Sequence, residues 1–539
     1  MRSDIEIAQS IELRPIVELA WSLGLTGDDI VPYGRYIAKI PLAVMDRLND
    51  GPDGKLVLVT AMSPTSMGEG KTTTTIGLGQ ALARIGKRSM MAIREPSLGP
   101  CMGVKGGAAG GGFSQVLPME DINLHFTGDI HAVSTAHNLL AAVVDNHLHH
   151  RHSPEIDPRH VVWKRVMDMN DRSLRSIILG LEDQGRNGVM REDGFEITAA
   201  SEIMAILCLS NDLKELKEKI GGVIVGYDYL RKPICAKDIG VNGAMAALLK
   251  HAINPNLVQS VEGVPVLVHG GPFANIAHGC NTIAATKMAR KLADYTITEA
   301  GFGADLGAEK FFHIKCRAAK LTPSAVVLVV TKRAHALHGM GNIEKHLDTL
   351  ARFGVPAVIS INRFLADSDA ELSELKKRCE DLGVPAVITD LREAGGDGGL
   401  ELAEKVALLC EKPCAFKMLY ALEDPLAVKV QTVAHQVYGA TGVEFSQQAL
   451  ADLRNIENMG YGHLPVCIAK TQSSLTDNPK IPGFPKDGFT ITVSSAKVSA
   501  GAGFVVIYTG KILAMPGLPK NPAALAIDVD DDGTISGLF

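Results

Sequence analysis

The residues best suited to chemistry lie between positions 63 and 83, in the segment SPTSMGEGKTTTTIGLGQALA. This segment follows an apolar run at 56–60 and precedes a helical pattern, as a phosphate-binding loop requires. Backbone amides near Gly68 and Gly70 can turn toward an anion, Lys71 suits the outer phosphates, and Thr72 offers a hydroxyl to magnesium. We therefore predict a nucleoside triphosphate site that comprises Thr65, Ser66, Met67, Gly68, Glu69, Gly70, Lys71 and Thr72.

The match to the usual pattern GxxxxGK(S/T) is incomplete, because Thr65 stands where that pattern has glycine. The alternative interpretation is a Gly/Thr-rich turn that caps an ordinary helix. A predicted strand before the loop and a predicted helix after it favour the phosphate loop.

A second chemical segment begins with Arg94 and Glu95, which end a predicted strand and precede the glycine-dense stretch GVKGGAAGGGFSQ at 103–115. Each glycine in regular structure costs roughly 0.5–1 kcal/mol of conformational entropy. Such density therefore indicates a backbone that bends sharply or approaches a ligand closely. A flexible linker is the alternative, and Lys105 and Phe113 suit it poorly.

Acidic and imidazole groups are concentrated in PMEDINLHFTGDIHAVSTAHN, immediately after the glycine-dense stretch. They are Glu120, Asp121, His125, Asp129, His131 and His137. Their density predicts proton handling or metal-assisted phosphate chemistry. The alternative is a polar helix entry that Thr127 or Asp129 caps.

Glu299 ends a predicted strand in TITEAGFGADLGAEKF and precedes Gly301 and Gly303. In phosphate-loop proteins a carboxylate at such a position often contacts magnesium near the terminal phosphate. We predict that Glu299 and Thr72 hold magnesium, the alternative for Glu299 being a surface loop acid.

Composition describes an ordinary globular protein of 539 residues with 46% apolar residues, 21% charged residues and a net charge of -6. This charge gives no reason to expect nucleic acid or an acidic membrane as a partner. No apolar run approaches the roughly 20 residues that a membrane span needs. With nine cysteines and no CxxC pair, we expect reduced thiols and a cytoplasmic protein.

Apolar runs alternate with helical patterns along the chain, as in KLVLVTAMS, RSMMAIREPS, VPVLVHGGP, DYTITEAG, SAVVLVVTK, VPAVISINRF and VPAVITDLRE. Continuous Val/Ile/Leu runs indicate strands buried on both faces. We predict an α/β fold: a doubly wound, mostly parallel sheet like that of P-loop NTPases, with smaller α/β and β-rich domains. The predicted domains are 1–360 for the nucleotide, with a helical insertion around 151–255, then an α/β domain at 361–460 and a small β-rich domain at 461–539.

Residues 103–113, with REPSLGP, PMEDINLHFTGDIHA, PVCIAKTQ, SAGAGF and MPGLPKNPAA, closely resemble the formate–tetrahydrofolate ligase family over essentially the whole chain. The resemblance implies an ATP-dependent ligase that joins formate to tetrahydrofolate through formyl phosphate. It also implies magnesium, activation by a monovalent cation and a homotetramer. Two departures stand out: LVVTKRAHALHGM replaces a signature like VATVRALKxHGG, and Arg392 stands near a tryptophan position of the family.

The same resemblance suggests roles for individual residues. Lys71 and Arg94 are expected to be catalytic, and Asp129 or His131 to accept the proton from the folate amine. Phe364 and Arg392 are expected to contact the pterin. The residues expected at formate or formyl phosphate are Arg94, Glu95, Lys105, Gly106, Gly107 and Phe302.

Two other functions fit parts of the sequence. A nucleotide-switched partitioning or metal-delivery ATPase often carries an early loop lysine, where this chain has Ser66, and the chain ends in DVDDDGTISGLF rather than in a membrane-targeting amphipathic tail. A folate-binding module without catalysis would not need the Lys71 and Thr72 pair.

Overall fold

The structure, a computed structural model, describes residues 2–49, 51–103, 109–510 and 512–538. It is a mixed α/β protein with one large, mostly parallel sheet and several small sheets. The strands are β1 Val31–Pro32, β2 Ala38–Lys39, β3 Lys55–Ala61, β4 Ser89–Ile93, β5 Gly110–Gly111, β6 Ser114–Leu117, β7 Arg165–Met167, β8 Ile177–Leu179, β9 Arg191–Asp193, β10 Phe195–Ile197, β11 Ile224–Tyr227, β12 Pro233–Cys235, β13 Asn256–Ser260, β14 Pro265–Val268, β15 Tyr295–Glu299, β16 Ala325–Val330, β17 Ala357–Asn362, β18 Ala386–Thr389, β19 Gly442–Phe445, β20 Val466–Ala469, β21 Thr490–Val493, β22 Ser495–Ser499, β23 Phe504–Tyr508, β24 Asp528–Val529 and β25 Ile535–Ser536.

Helices cover the sheet and connect its strands. They are α1 Asp4–Gln9, α2 Ile16–Ser22, α3 Val44–Leu48, α4 Lys71–Arg84, α5 Leu98–Met102, α6 Met119–Asn123, α7 Asp129–His150, α8 Gln184–Asn187, α9 Glu202–Leu209, α10 Leu213–Gly221, α11 Asn242–Leu248, α12 Ile283–Leu292, α13 Arg317–Ala319, α14 Lys332–His338, α15 Met340–Arg352, α16 Asp369–Glu380, α17 Leu391–Ala394, α18 Leu400–Cys410, α19 Leu426–Val433 and α20 Gln447–Asn458. Segments Ala304–Ala308, Phe311–Cys316 and Ala434–Tyr438 are π-helical, and Gly395–Gly399 is a 3₁₀ helix.

The main sheet has the strand order β1-β2-β13-β14-β4-β15-β3-β16-β17-β18, with β6 on β13 and β5 on β6. The seven strands from β14 to β18 in this order are parallel. They coincide with the seven apolar runs found in the sequence, so the prediction of a mostly parallel sheet is confirmed. Strands β1, β2 and β13 add an antiparallel edge that the sequence analysis did not identify.

Burial explains why these runs are continuous rather than alternating. Every residue of β16 is buried, and so is every residue of β3 after Lys55. Since parallel strands all end at one edge, the loops after β4, β15, β3, β16 and β17 meet there. That edge carries the candidate site.

Glycine allows α4 to pack closely beneath this edge. A Cβ on Gly77 would lie 2.6 Å from Ser114 Oγ, and one on Gly79 would lie 2.1 Å from Met91 Sδ. Both glycines are buried in the helix interior, where glycine is otherwise unfavourable. The close approach of α4 to β4 and β6 therefore explains their presence.

The segment around 151–255, predicted to be a helical insertion, contains strands as well as helices. Pairs β7 with β10, β8 with β9, and β11 with β12 form three small sheets. These strands have three or four residues each, which is too short to produce a recognisable alternation in the sequence.

The C-terminal part contains the short strands that its sequence predicts. Strands β20, β23 and β22 form one sheet, and β19 pairs with β21. Buried residues such as Val466 and Val505 share one apolar core with Leu328 of the main sheet. The main sheet also continues to β18, beyond the predicted boundary at 360. The division into three domains stays a prediction.

All nine cysteines are free thiols, and all except Cys414 are buried. In the described ranges we find no helix with both the length and the apolar character of a membrane span.

The fold predicts a severe effect of a single methyl group beside the site. A Cβ on Gly307 would lie 1.9 Å from the carbonyl oxygen of Gly301. We expect Gly307→Ala to destabilise the protein by about 1–3 kcal/mol, because backbone must move to accommodate it. The measurement is the thermal unfolding midpoint.

Gly243→Ala is the matched control, since a Cβ there meets only Lys217 Cε at 3.9 Å. It lies in α11, where alanine is favoured by roughly 0.5–1 kcal/mol. Equal midpoints for the two variants would contradict the close packing of Gly307 on Gly301.

Candidate active site

The predicted phosphate loop joins the carboxyl end of β3 to the first residue of α4. Gly68 and Gly70 have φ angles of +75° and +73°, a left-handed conformation that favours glycine. A Cβ on Gly70 would also lie 2.4 Å from Asn362 Nδ2. No side chain in the described ranges caps α4, so its first amides face the loop as they do in anion sites at helix N-termini.

Glu69 holds this loop together from inside. It is 1% exposed, and its Oε1 accepts hydrogen bonds from the Thr65 backbone N–H at 2.6 Å and the Thr65 hydroxyl at 2.8 Å. Its Oε2 accepts a hydrogen bond from the Thr331 hydroxyl at 2.5 Å. These contacts give Glu69 and Thr65 a role in shaping the loop, while Ser66 and Met67 are exposed at its tip.

Three predicted site residues lie close together at the carboxyl ends of β4 and β15. Thr72 Oγ1 donates to Glu299 Oε2 at 2.8 Å, and Arg94 Nη2 lies 3.5 Å from Glu299 Oε1. The Glu299 side chain is 2% exposed and that of Arg94 24% exposed. The buried Glu299 carboxylate therefore links Arg94, which follows β4, to Thr72 in the first turn of α4.

Two buried atoms of this cluster have no hydrogen-bond partner among the described residues, and their chemistry suits a hard cation and an anion. Arg94 Nε and Glu299 Oε1 are buried without a hydrogen-bond partner in the described part of the chain. The Glu299 carboxylate and the Thr72 hydroxyl are oxygen donors of the kind magnesium binds. Within the described ranges no three His, Cys, Asp or Glu side chains form a metal-binding group, so such an ion would take further ligands from phosphates and water.

Phe302 and Gly301 follow Glu299 and adopt the geometry that this contact needs. A Cβ on Gly301 would lie 3.2 Å from Arg94 Nη1 and 2.5 Å from Ala274 Cβ. Phe302 has a φ angle of +61°, which for a bulky residue stores roughly 1–3 kcal/mol of strain. Strained backbone of this kind concentrates at functional sites.

A second charged cluster lies beside Arg94. Lys39 Nζ and Asp129 form a buried ion pair at 2.8 Å, and Asn256 Nδ2 donates to Asp129 Oδ2 at 2.8 Å. Glu95 is 5% exposed, and its Oε2 has no hydrogen-bond partner among the described residues. Burial, and secondly the charge of Asp129, raises the pKa of the Glu95 carboxyl, against the opposing effect of Lys39.

The two candidates for proton acceptor differ in their surroundings. Asp129 is the first residue of α7 and is held by Lys39 and Asn256. His131 is exposed on the same helix, and residues two apart on a helix do not share a face. The role of either residue stays a prediction.

Phe364, the predicted pterin platform, follows β17 and is half-buried. The guanidinium carbon of Arg333 lies 4.0 Å from the centre of its ring. This is a cation–π contact of roughly 0.5–2 kcal/mol. Arg333 was not identified from the sequence, although it lies in the divergent signature LVVTKRAHALHGM.

Arg392 contacts other partners. Its Nη2 lies 2.6 Å from Asp4 Oδ1, and its carbonyl oxygen accepts a hydrogen bond from the Phe113 backbone N–H at 2.8 Å. A cavity of about 290 Å³ lies between Arg392, Phe113 and the N-terminal Arg2 and Ile7. Arg392 pairs with Asp4, whereas Arg333 stacks on Phe364, and the role of Arg392 and Phe364 in binding the pterin stays a prediction.

The glycine-dense segment is described only in part. Lys105, Gly106 and Gly107 lie outside the described residues. Gly112, in the described part, has a φ angle of +60°, and a Cβ there would lie 2.0 Å from the Arg392 carbonyl oxygen. Close backbone contact therefore explains at least this glycine, in agreement with the sequence interpretation.

A buried polar cluster below the loop was missed. Lys470 Nζ lies 3.1 Å from Asp305 Oδ2, and both side chains are almost fully buried. Nearby, Asn342 Oδ1 accepts a hydrogen bond from the Ser63 backbone N–H at 3.1 Å, and burial lowers the pKa of His346 to about 4. Because Asp305 and Lys470 are far apart in the chain, no local pattern links them.

Glu95 predicts a measurable pH dependence. Its raised pKa means that above the ordinary value of 4.5 the native state holds a proton that the unfolded state has lost. Its contribution to stability is therefore complete below 4.5 and disappears as the pH rises through its native pKa. We expect Glu95→Gln to flatten the fall in unfolding free energy over this window.

The measurement is chemical unfolding of both proteins across a pH series. Glu12→Gln is the control, since Glu12 is an exposed glutamate in the loop after α1 whereas Glu95 is buried. Parallel pH profiles for the wild type and Glu95→Gln would contradict a raised pKa.

Comparison with known proteins identifies the family of this chain. The family model described as formate–tetrahydrofolate ligase matches residues 2–539. A curated protein of Symbiobacterium thermophilum, named formate–tetrahydrofolate ligase, is 55% identical over 559 aligned residues that cover 100% of both chains. Because these matches extend over essentially the whole chain, this chain belongs to the formate–tetrahydrofolate ligase family.

Proposed function

We propose that this enzyme couples ATP cleavage to the ligation of formate and tetrahydrofolate through formyl phosphate, releasing formyltetrahydrofolate, ADP and phosphate. Family membership supplies the ligation of formate to tetrahydrofolate. The convergence of Arg94 and Thr72 on Glu299 is the observation that best supports the use of ATP. Through Glu299, these contacts connect helix α4, at the end of the predicted phosphate loop, to the guanidinium of Arg94, which is suited to bind formate. We extend the proposal to a P-loop NTPase-like core.

The chemistry explains why both features are needed. Formate is a poor electrophile because its negative charge is delocalised over two oxygens. Transfer of the terminal phosphoryl group of ATP to a formate oxygen gives formyl phosphate and ADP. The amine of tetrahydrofolate then attacks the formyl carbon, phosphate leaves, and the amine loses a proton.

The first step requires two anions to meet in line. The planar guanidinium of Arg94 suits a carboxylate and can orient it with two parallel hydrogen bonds. Lys71 and the first amides of α4 would stabilise charge that moves toward ADP. Magnesium, held by Thr72 and Glu299, would neutralise charge on the phosphates. Positioning and electrostatics of this kind supply most of the catalysis in phosphoryl transfer.

Phe364 is the proposed platform for the flat pterin, with Arg333 on one ring face. Asp129 or His131 would accept the amine proton, and Asp129 is the one of the two that is already engaged in a buried ion pair, with Lys39. A homotetramer, a cytoplasmic location and activation by a monovalent cation are further proposals from the family resemblance.

The direct test is product formation. Purified protein with ATP, magnesium, formate and tetrahydrofolate should yield formyltetrahydrofolate, and omission of any component should abolish it. Lys71→Ala should lose turnover while it still binds tetrahydrofolate. ADP release that continues undiminished without formate and folate would contradict the proposal and favour a nucleotide-switched ATPase.

Arg94 gives a sharper prediction. We expect Arg94→Gln to lower kcat/KM for formate by about 10²–10³-fold, as does loss of one donor to developing charge elsewhere. The KM for ATP should change little. Arg84→Gln is the control, since Arg84 also carries a guanidinium paired with a carboxylate, Glu262, but is 50% exposed. Equal formate kinetics in both variants would exclude Arg94 from formate binding.

A further inference from the structure

Arg333 contacts both the phosphate loop and the aromatic ring proposed to hold the pterin. Its Nη2 donates a hydrogen bond to the carbonyl oxygen of Gly68. Its guanidinium carbon lies 4.0 Å from the centre of the Phe364 ring. One side chain therefore touches the proposed nucleotide site and the proposed folate site.

Several neighbouring groups contact the Arg333 side chain and fix its position. Its Nε is buried without a hydrogen-bond partner in the described part of the chain and lies 3.7 Å from Glu69 Oε2. That oxygen already accepts a hydrogen bond from Thr331. The side chain is 28% exposed, and its other contacts include the Gly68 carbonyl oxygen and the Phe364 ring.

Guanidinium geometry suits this double contact. Its planar face can stack on an aromatic ring while its edge donates hydrogen bonds, which an ammonium group cannot do in one position. In this structure the Arg333 guanidinium stacks on one face of the Phe364 ring.

Two further side-chain hydrogen bonds connect the same two regions. Asn362 ends β17, two residues before Phe364, and its Nδ2 donates to the Glu69 carbonyl oxygen at 3.1 Å. Thr331, at the end of β16, caps α14 and binds Glu69. The phosphate loop, the start of α14 and the segment of Phe364 therefore form one connected unit.

We propose that Arg333 is a positioning residue that couples nucleotide binding to folate binding. Nucleotide in the loop orders Gly68, and hence Arg333 and Phe364. The protein therefore loses less conformational freedom when folate binds. Thermodynamic linkage requires folate to strengthen nucleotide binding by the same factor. This inference rests on the proposed function, because it takes Phe364 as the folate platform.

The test measures the dissociation constant of tetrahydrofolate by calorimetry, with and without the magnesium complex of a non-hydrolysable ATP analogue. The ratio of the two constants is the coupling. For the wild type we expect folate to bind about five-fold tighter or more with nucleotide present, the lower end of typical coupling. For Arg333→Met we expect a ratio near one, with nucleotide and folate still binding separately.

Two further variants separate coupling from general structural damage. Arg363→Met removes a guanidinium next to Phe364 in the chain, one that pairs with Asp369 at 2.7 Å instead of contacting the loop, and should keep the wild-type ratio. Arg333→Lys keeps the charge but loses the stack, and should lose most of the coupling even if Arg333→Met folds poorly.

A wild-type ratio in Arg333→Met or Arg333→Lys would overturn the inference, and so would a ratio of one in the wild type. If formate-dependent turnover is intact in either case, the proposed function stands and the inference alone fails. If the wild type binds no tetrahydrofolate, both fail.

Discussion

The buried carboxylate of Glu299 is the interaction on which the site depends. An unpaired charge in a protein interior is strongly unfavourable, so this carboxylate needs the Thr72 hydroxyl and the Arg94 guanidinium beside it. Glu299 and its two partners come from three parts of the chain that parallel strands bring to one edge. The same need ties the first turn of α4 to the end of β4. Charge burial and strand direction together therefore set the geometry of the proposed phosphoryl transfer.

Several departures from ordinary backbone geometry support this arrangement. Gly301 allows Arg94 to approach, Phe302 adopts a left-handed conformation, and the next segment is π-helical. Short π-helices occur often at functional sites. The extensive buried sheet stabilises the protein enough to tolerate this local strain, since every residue of β15 and β16 is buried.

Two ion pairs frame the site at greater depth. Lys39 with Asp129 lies beside Glu95, and Lys470 with Asp305 lies below the predicted phosphate loop. Buried pairs contribute little net stability, but loss of one partner leaves an uncompensated charge. The main contribution of these two ion pairs is therefore to fix the positions of the charged side chains rather than to stabilise the fold. Lys39 precedes β3 and Lys470 follows β18 in the chain, so segments before and after the parallel strands both take part in ordering the central site.

The sequence alone identified the seven parallel strands, because continuous apolar runs reflect burial on both faces, and it placed Lys71, Thr72, Arg94 and Glu299 at their ends. The antiparallel edge and the short strands after residue 151 escaped, since most of these strands contain polar residues, glycine or proline instead of a continuous apolar run. Only the tertiary structure decided which side chains meet: that Glu69 binds Thr65, that Arg333 rather than Arg392 covers Phe364, and that Lys39 pairs with Asp129. Local pattern determines burial and strand ends, whereas contacts between residues hundreds of positions apart depend on strand order and side-chain packing.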